Sequence, residues 1–197
     1  MSLVEPLAVT VMVARAFESL GVRYLIGGSL ASSFHGVPRS TNDADLVAEL
    51  PVTMADALAA ELTPAFYADA EMIRDAARRG GSFNVIHLDT MFKVDVFVAT
   101  RDALVQEELA RRQEHRLAPD EDVRAFFASA EDTVLQKLDW FRKGGEVSDR
   151  QWRDVLGVIQ VQGSALDVEY LRRWAPHLRV VALLERALQE ARSSPGT

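Results

Sequence analysis

The stretch Gly27-Gly28-Ser29-Leu30-Ala31-Ser32-Ser33-Phe34-His35-Gly36-Val37-Pro38-Arg39-Ser40-Thr41-Asn42-Asp43-Ala44-Asp45 decides how this sequence is read. The residues just before it, Val22 to Ile26, are rich in β-branched and aromatic side chains and read as a strand. Gly-Gly-Ser then opens a short helix to about Phe34, and His35-Gly36-Val37-Pro38 has the punctuation of a loop. Residues 43 to 49 alternate: Ala44, Leu46 and Ala48 point one way, while Asp43, Asp45, Val47 and Glu49 point the other. That pattern predicts a half-buried strand with two carboxylates on its open face.

Working outward, residues 7 to 20 carry Leu7, Val11, Ala14 and Phe17 at helical spacing, with Gly21 as the stop. Pro51 lies near the start of a helix that reaches about Leu62, and a further helix over 70 to 79 ends at Gly80-Gly81. Two strands follow, 82 to 88 and 91 to 98, with Asp89-Thr90 as a tight turn between them. In the second, Phe92, Val94, Val96 and Val98 share one face, and Met91, Lys93, Asp95 and Phe97 share the other. Beyond about residue 100 the periodicity is mostly helical. One helix spans 131 to 143, with Val134, Leu135, Leu138 and Phe141 on its apolar side and Gly144-Gly145 at its end. Ser148-x-x-Gln151 resembles a capping box for the next, to about Val161. Two more helices fill 166 to 192, and the small polar tail 193 to 197 is expected to fray. The expected architecture is α+β: a mixed β-sheet flanked by helices over residues 1–112, followed by a helical C-terminal region over 113–197.

Composition narrows the function. The 197 residues include no cysteine, which excludes disulfides, thiolate metal sites and cysteine nucleophiles. A net charge of −7 argues against a protein that coats nucleic acid by sheer basicity. The clusters Arg74, Arg78, Arg79 and Arg111, Arg112, Arg116 read as solvated helix faces. The apolar run from Leu7 to Ala14 is too short to span a membrane, and Glu5 with no preceding Lys or Arg is wrong for a signal peptide. A cytoplasmic protein without membrane contact is expected. The four histidines, His35, His87, His115 and His177, lack metal-ligand spacing. Trp140 and Trp152 fall in the helical half and read as interhelix packing, with stacking on a base as the minor reading.

Two carboxylates on one strand face repel each other, and a hard cation such as Mg²⁺ gives them a reason to coexist. An Asp-x-Asp alone is common by chance, and a solvated pair of acids is its ordinary meaning. Asp95 alters the balance. If its strand neighbours that of Asp43 and Asp45, three carboxylates meet on one surface and can hold two divalent ions. The plainer alternative pairs Asp95 with Lys93 or an arginine. Gly27 and Gly28 let backbone approach a phosphate closely, and N–H groups at a helix start bind anions. Ser29 can cap that helix or donate to phosphate. An ordinary strand-to-helix turn would look the same. Arg39, four residues before Asp43, suits either a triphosphate or the aspartates themselves.

Taken together, Gly28-Ser29, the helix, Asp43-x-Asp45 and the later Asp95 resemble the signature of the DNA polymerase β-like nucleotidyltransferase superfamily. The thirteen residues between Ser29 and Asp43, with His-Gly-Val-Pro-Arg inside the gap, look like the AbiEii/AbiGii toxin branch. Glu131-Asp132-Thr133-Val134-Leu135-Gln136-Lys137 is similar to that branch's helical motif with a phosphate-binding lysine. Ser148-Asp149-Arg150-Gln151-Trp152-Arg153-Asp154-Val155 is similar to the motif that follows it.

The resemblance implies transfer of NMP from an NTP to a hydroxyl on RNA such as tRNA, on protein or on a small molecule. It implies two Mg²⁺ ions, with Mn²⁺ as a substitute, on Asp43, Asp45 and Asp95, which are also the catalytic residues. Gly27, Gly28, Ser29, Arg39 and Lys137 would bind the nucleotide, and Asp154 would orient Lys137. A toxin–antitoxin or phage-defence setting with a cognate partner goes with this branch. Two other readings compete. The chain can be a non-catalytic, nucleotide-binding or antitoxin-like partner protein of the same fold. Gly27-Gly28-Ser29-Leu30-Ala31 also resembles a nucleophile elbow, which would make a serine hydrolase using Ser29, but that leaves the three aspartates unexplained.

Overall fold

The computed structural model describes residues 5–117 and 123–193; the tail from 194, expected to fray, lies outside the described residues. In chain order the elements are α1 (Glu5–Ser19), β1 (Tyr24–Ile26), α2 (Gly28–His35), β2 (Asp43–Ala48), α3 (Ala55–Leu62), β3 (Phe66–Tyr67), α4 (Ala70–Arg79), β4 (Ser82–His87) and β5 (Lys93–Val98). These are followed by α5 (Ala103–Arg111), β6 (Gln113–Arg116), β7 (Arg124–Phe127), α6 (Ala130–Lys143), α7 (Asp149–Gln162), α8 (Val168–Leu178) and α9 (Val181–Ser193). They are distributed over two compact units. One comprises Met1–Gly27 and Thr41–Phe127, the other Gly28–Ser40 and Ala128–Thr197.

The first unit is built on a seven-stranded mixed sheet of order β3-β4-β5-β2-β1-β7-β6. The alternation read in the sequence becomes its two faces. Ala44, Leu46 and Ala48 of β2 and Val94, Val96 and Val98 of β5 are buried, and Phe83 and Val85 of β4 continue that layer. Helices α1 and α4 cover it, contacting β2 and β4 respectively, while α3 packs on both helices. The other face keeps Asp43, Asp45, Val47, Lys93, Asp95 and Phe97 half-buried. β2 and β5 run parallel in a register that sets Asp43 against Lys93 and Asp45 against Asp95. The Asp89-Thr90 turn is longer than expected. β4 ends at His87 and β5 begins at Lys93, because His87 N–H bonds to the Phe92 carbonyl and Met91 N–H to the His87 carbonyl.

Three strands depart from the sequence reading. β3 has only two residues, pairing with β4, and is too short to show a period. β6 and β7 interrupt the region expected to be helical. β6 is the polar tetrapeptide Gln-Glu-His-Arg, an edge strand with no apolar alternation to betray it. β7 turns Ala125 and Phe127 inward and pairs parallel with β1 through Ile26 and Phe127. The Arg111, Arg112, Arg116 cluster therefore is not one helix face. Arg111 ends α5, Arg116 lies on β6, and the Arg112 guanidinium sits 4.7 Å from the centre of the Phe126 ring. Arg78 and Arg79 of the other cluster are exposed on α4 as expected, while Arg74 is half-buried and paired with Asp56 and Glu71.

The second unit is helical, with α2 packed on α6 and α7. Gly36, just past α2, makes that packing close. A Cβ there would stand 2.7 Å from the Val158 nitrogen and 2.9 Å from the Gly157 carbonyl carbon. Side-chain caps start α6, α7 and α8: Ser129 accepts from Asp132 N–H, Ser148 from Gln151 N–H and Asp167 from Tyr170 N–H. The expected capping box at Ser148 is half made, since among the described residues the buried Gln151 Oε1 has no hydrogen-bond partner. Among the described residues no helix is long and apolar enough to cross a membrane.

Candidate functional site

The residues singled out in the sequence form two groups, one in each unit. In the first unit the sheet brings Asp43, Asp45 and Asp95 onto one face. Neighbouring strands stand about 4.8 Å apart, and Asp45 and Asp95 are direct cross-strand neighbours. Thr41 Oγ1 donates to Asp43 Oδ1 at 3.0 Å. Lys93, on the same face, closes a salt bridge to Asp95 Oδ2 at 2.6 Å. The plainer sequence reading of Asp95, an acid paired with Lys93, is thus part of the arrangement. The hydrogen bond from Lys93 to Asp95 holds the ammonium pKa above its usual value, and the charges of Asp43 and Asp45 add to that.

Three carboxylates and a threonine hydroxyl are hard oxygen donors, the chemistry Mg²⁺ takes. Among the described residues no three His, Cys, Asp or Glu side chains already converge on one point. The donor chemistry fits a divalent ion that completes its shell with water and phosphate oxygens rather than a closed protein cage.

The second group surrounds Ser29. Gly28 opens α2 with φ 55°, a left-handed conformation that glycine takes without steric cost. Gly27 N–H, still in the sheet unit, bonds to the Asp45 carbonyl at 2.8 Å and so is committed to the strand pairing. Arg39 donates Nε to Asp154 Oδ1 and Nη2 to Asp154 Oδ2, both at 2.8 Å, a bidentate pair. Its Nη2 also donates to Ser29 Oγ at 2.7 Å. Lys137 Nζ donates to Asp154 Oδ2 at 2.8 Å and lies 3.5 Å from Ser29 Oγ. Helix periodicity alone leaves Lys137 room on an exposed face, yet it is 4% exposed. Its partner accounts for this: a buried ammonium needs a buried carboxylate. Burial acts against the Asp154 carboxylate, but the hydrogen bonds from Arg39 and Lys137 outweigh it and hold its pKa below the usual range. Two cations bond one carboxylate here and both reach the same hydroxyl, so the group around Ser29 gathers guanidinium, ammonium and hydroxyl donors of the kind that bind anions.

Ser29 Oγ is bonded to cations rather than to a histidine base. His35, six positions on, is buried with Nε2 2.7 Å from the Ala128 carbonyl, and burial lowers its pKa. Trp152 packs against Phe141, carries the Arg186 guanidinium 3.8 Å from its ring centre, and donates to Glu190. Its packing reading holds. Trp140 is 51% exposed instead, because it faces away from the buried Phe141 and Leu138 side of α6. Two residues on the acid face were not singled out as site members. Lys93 was visible as the i−2 neighbour of Asp95. Asn84, opposite Asp95 on β4, has no signal of its own in the sequence.

No protein-family model matches the chain, and no curated protein matches its sequence. Solved structures do resemble it. An antigenic nucleotidyltransferase-like protein from Paracoccidioides brasiliensis superposes with a TM-score of 0.54 at 16% identity, over 94% of this chain and 93% of that one. The antibiotic-resistance factor ANT(2'')-Ia gives 0.52 at 16% identity, over 93% and 98%. The lincomycin-bound lincosamide antibiotic adenylyltransferase LnuA gives 0.51 at 11% identity, over 82% and 99%. At such identities the likeness is one of architecture: the chain has the α+β fold of nucleotidyltransferase-like proteins, with a mixed sheet flanked by helices and a helical C-terminal region.

Proposed function

We propose that this chain is a divalent-metal-dependent nucleotidyltransferase that moves NMP from an NTP to an acceptor hydroxyl and releases pyrophosphate. The observation that carries the proposal is the β2–β5 register, which sets Asp45 directly against Asp95 on the face that also holds Asp43. Carboxylates so arranged repel unless a cation joins them. Bound there, Mg²⁺, or Mn²⁺ in its place, would act as a Lewis acid on phosphoryl oxygens and lower the pKa of the attacking hydroxyl.

The chain's own residues divide the remaining work. Asp43 and Asp45 hold the metal. Asp95 is a further ligand, and its carboxylate takes the acceptor's proton. Ser29, Arg39 and Lys137 bind the triphosphate, with the first amides of α2, starting at Gly28, as further donors. Gly27 shapes the turn that precedes them. Asp154 orients Arg39 and Lys137 by bonding both. On the motif spacing we place the chain nearest the AbiEii/AbiGii-like branch, with a cognate toxin or antitoxin as its partner.

The test is incubation with each α-labelled NTP, Mg²⁺ and a total cell lysate. Label on tRNA, on protein or on small molecules identifies the acceptor, and Asp43→Asn must abolish it. A second reading, a non-catalytic nucleotide-binding partner protein, is favoured by the salt bridge that engages Asp95. It would show as NTP binding by calorimetry without label transfer.

A further inference from the structure

On the acid face, four charged side chains occupy a grid on two parallel strands. Asp43 stands against Lys93 and Asp45 against Asp95. The Lys93 ammonium lies 2.6 Å from Asp95 Oδ2, with its side chain 44% exposed and that of Asp95 22% exposed. The grid thus carries three negative charges and one positive, and the positive one is seated on the acid that the functional reading gives to the metal.

We propose that Lys93 is the resident counter-cation of this face: it occupies Asp95 in the metal-free protein and competes with the divalent ion for that carboxylate. The inference rests on the metal-dependent reading above. A Mg²⁺ ion binds a carboxylate oxygen at about 2.0–2.1 Å. An ammonium already hydrogen-bonded to the same oxygen would then lie within a few ångströms of a double positive charge, where like charges repel strongly. The two cations compete for Asp95 Oδ2, and a metal that takes this oxygen drives Lys93 away from it. Its partly exposed four-carbon stem permits that motion, because water can take the ammonium as it leaves.

Two consequences follow from the same charges. Without metal, Lys93 screens the repulsion between Asp43, Asp45 and Asp95 and so stabilises the pairing of the two central strands β2 and β5. With metal, the separation of Lys93 from Asp95 is subtracted from the binding free energy, which weakens affinity for an ion arriving without nucleotide. The side chain released from Asp95 is then the only lysine among the residues of this strand, and it stays tethered beside the ion.

The experiment is titration of the full chain with Mn²⁺, followed by electron paramagnetic resonance of the free ion, for wild type, Lys93→Met and Lys93→Arg. Removing the competitor is expected to tighten Mn²⁺ binding roughly two- to fivefold in Lys93→Met, the scale of an exposed ion pair. Lys93→Arg, whose guanidinium can also grip Asp95, is expected to bind no more tightly than wild type. A thermal melt without metal should fall for Lys93→Met and recover on adding Mn²⁺ more than wild type does. Equal or weaker Mn²⁺ affinity in Lys93→Met overturns the role of Lys93 while leaving the metal reading intact. Absence of Mn²⁺ binding in wild type and both variants overturns the metal reading and this inference with it. Should Lys93→Met not fold, Lys93→Gln, which keeps a polar side chain, is titrated in its place with the same expected tightening.

Discussion

Lys137 and Asp154, 17 residues apart on successive helices, meet at 2.8 Å with their side chains only 5% and 6% exposed. A buried pair of this kind is far costlier to break than to replace, since the surviving charge is left without compensation. Asp154→Ala removes the carboxylate that both Lys137 and Arg39 bond and is expected to lower unfolding stability by about 3–5 kcal/mol. Lys137→Met leaves Asp154 with its bidentate arginine and should cost clearly less. Urea denaturation of the two variants checks the order; a larger loss for Lys137→Met would contradict it.

Replacing Asp45 with Asn keeps the shape of the acid face and removes one of its charges. Label transfer is expected to fall by about 10³-fold or more, the scale of losing metal-supplied stabilisation of several kcal/mol. Stability of the metal-free protein should change far less than activity does, because Asn keeps the size of the half-buried side chain and most of its hydrogen-bonding capacity. Activity and a thermal melt on one preparation separate a chemical from a structural role.

The close approach of α2 and α7 makes a prediction about two glycines. A Cβ at Gly36 would meet backbone atoms at 2.7 and 2.9 Å, and backbone cannot turn aside. Gly36→Ala is therefore expected to destabilise by about 1–3 kcal/mol. At Gly157 the nearest atom is Val37 Cγ2 at 3.3 Å, the end of an exposed side chain. Gly157→Ala should come out near neutral, because the gain in helix propensity of about 1 kcal/mol offsets the crowding. Chemical denaturation of both variants measures the contrast.

His35 supplies a pH dependence. Burial is the main cause of its lowered pKa in the fold, and the Ala128 carbonyl and Glu131 only partly oppose it. The unfolded chain therefore takes up the proton first. Stability from a neutral His35 is fully present above the ordinary value of 6.5 and is lost as pH falls below it, until the folded-state pKa is passed. The stability advantage of wild type over His35→Asn is expected to shrink between pH 7.5 and pH 5, as urea titrations at several pH values would record. An advantage that grows on acidification would refute this.

Much of the sheet was legible because β2 and β5 each alternate strictly, so the faces of Asp43, Asp45 and Asp95 followed from a period of two. Their adjacency did not follow. Periodicity says which way a side chain points and nothing about which strand lies next to it, and only the register pairs Asp45 with Asp95. The burial of Lys137 was hidden for a related reason. A lysine scores as a surface residue until its partner is known, and Asp154 lies on another helix. β6 and β7 escaped because four residues, one set wholly polar, carry too little pattern to outweigh helical neighbours. Asn84 escaped because a single amide on a strand has no motif around it.

The pairing of β7 with β1 also governs the order in which the protein can be made. Ile26 meets Phe127, roughly a hundred residues later, so one side of β1 stays an open edge while the ribosome produces everything between them. Residues 28–40 wait likewise for the helices that begin at Ala130. Neither unit can close on a nascent chain before about residue 128 has emerged. During that interval an exposed strand edge is a template for aggregation, which makes the cellular yield of this protein sensitive to how fast it is translated and to factors that shelter unfinished sheets.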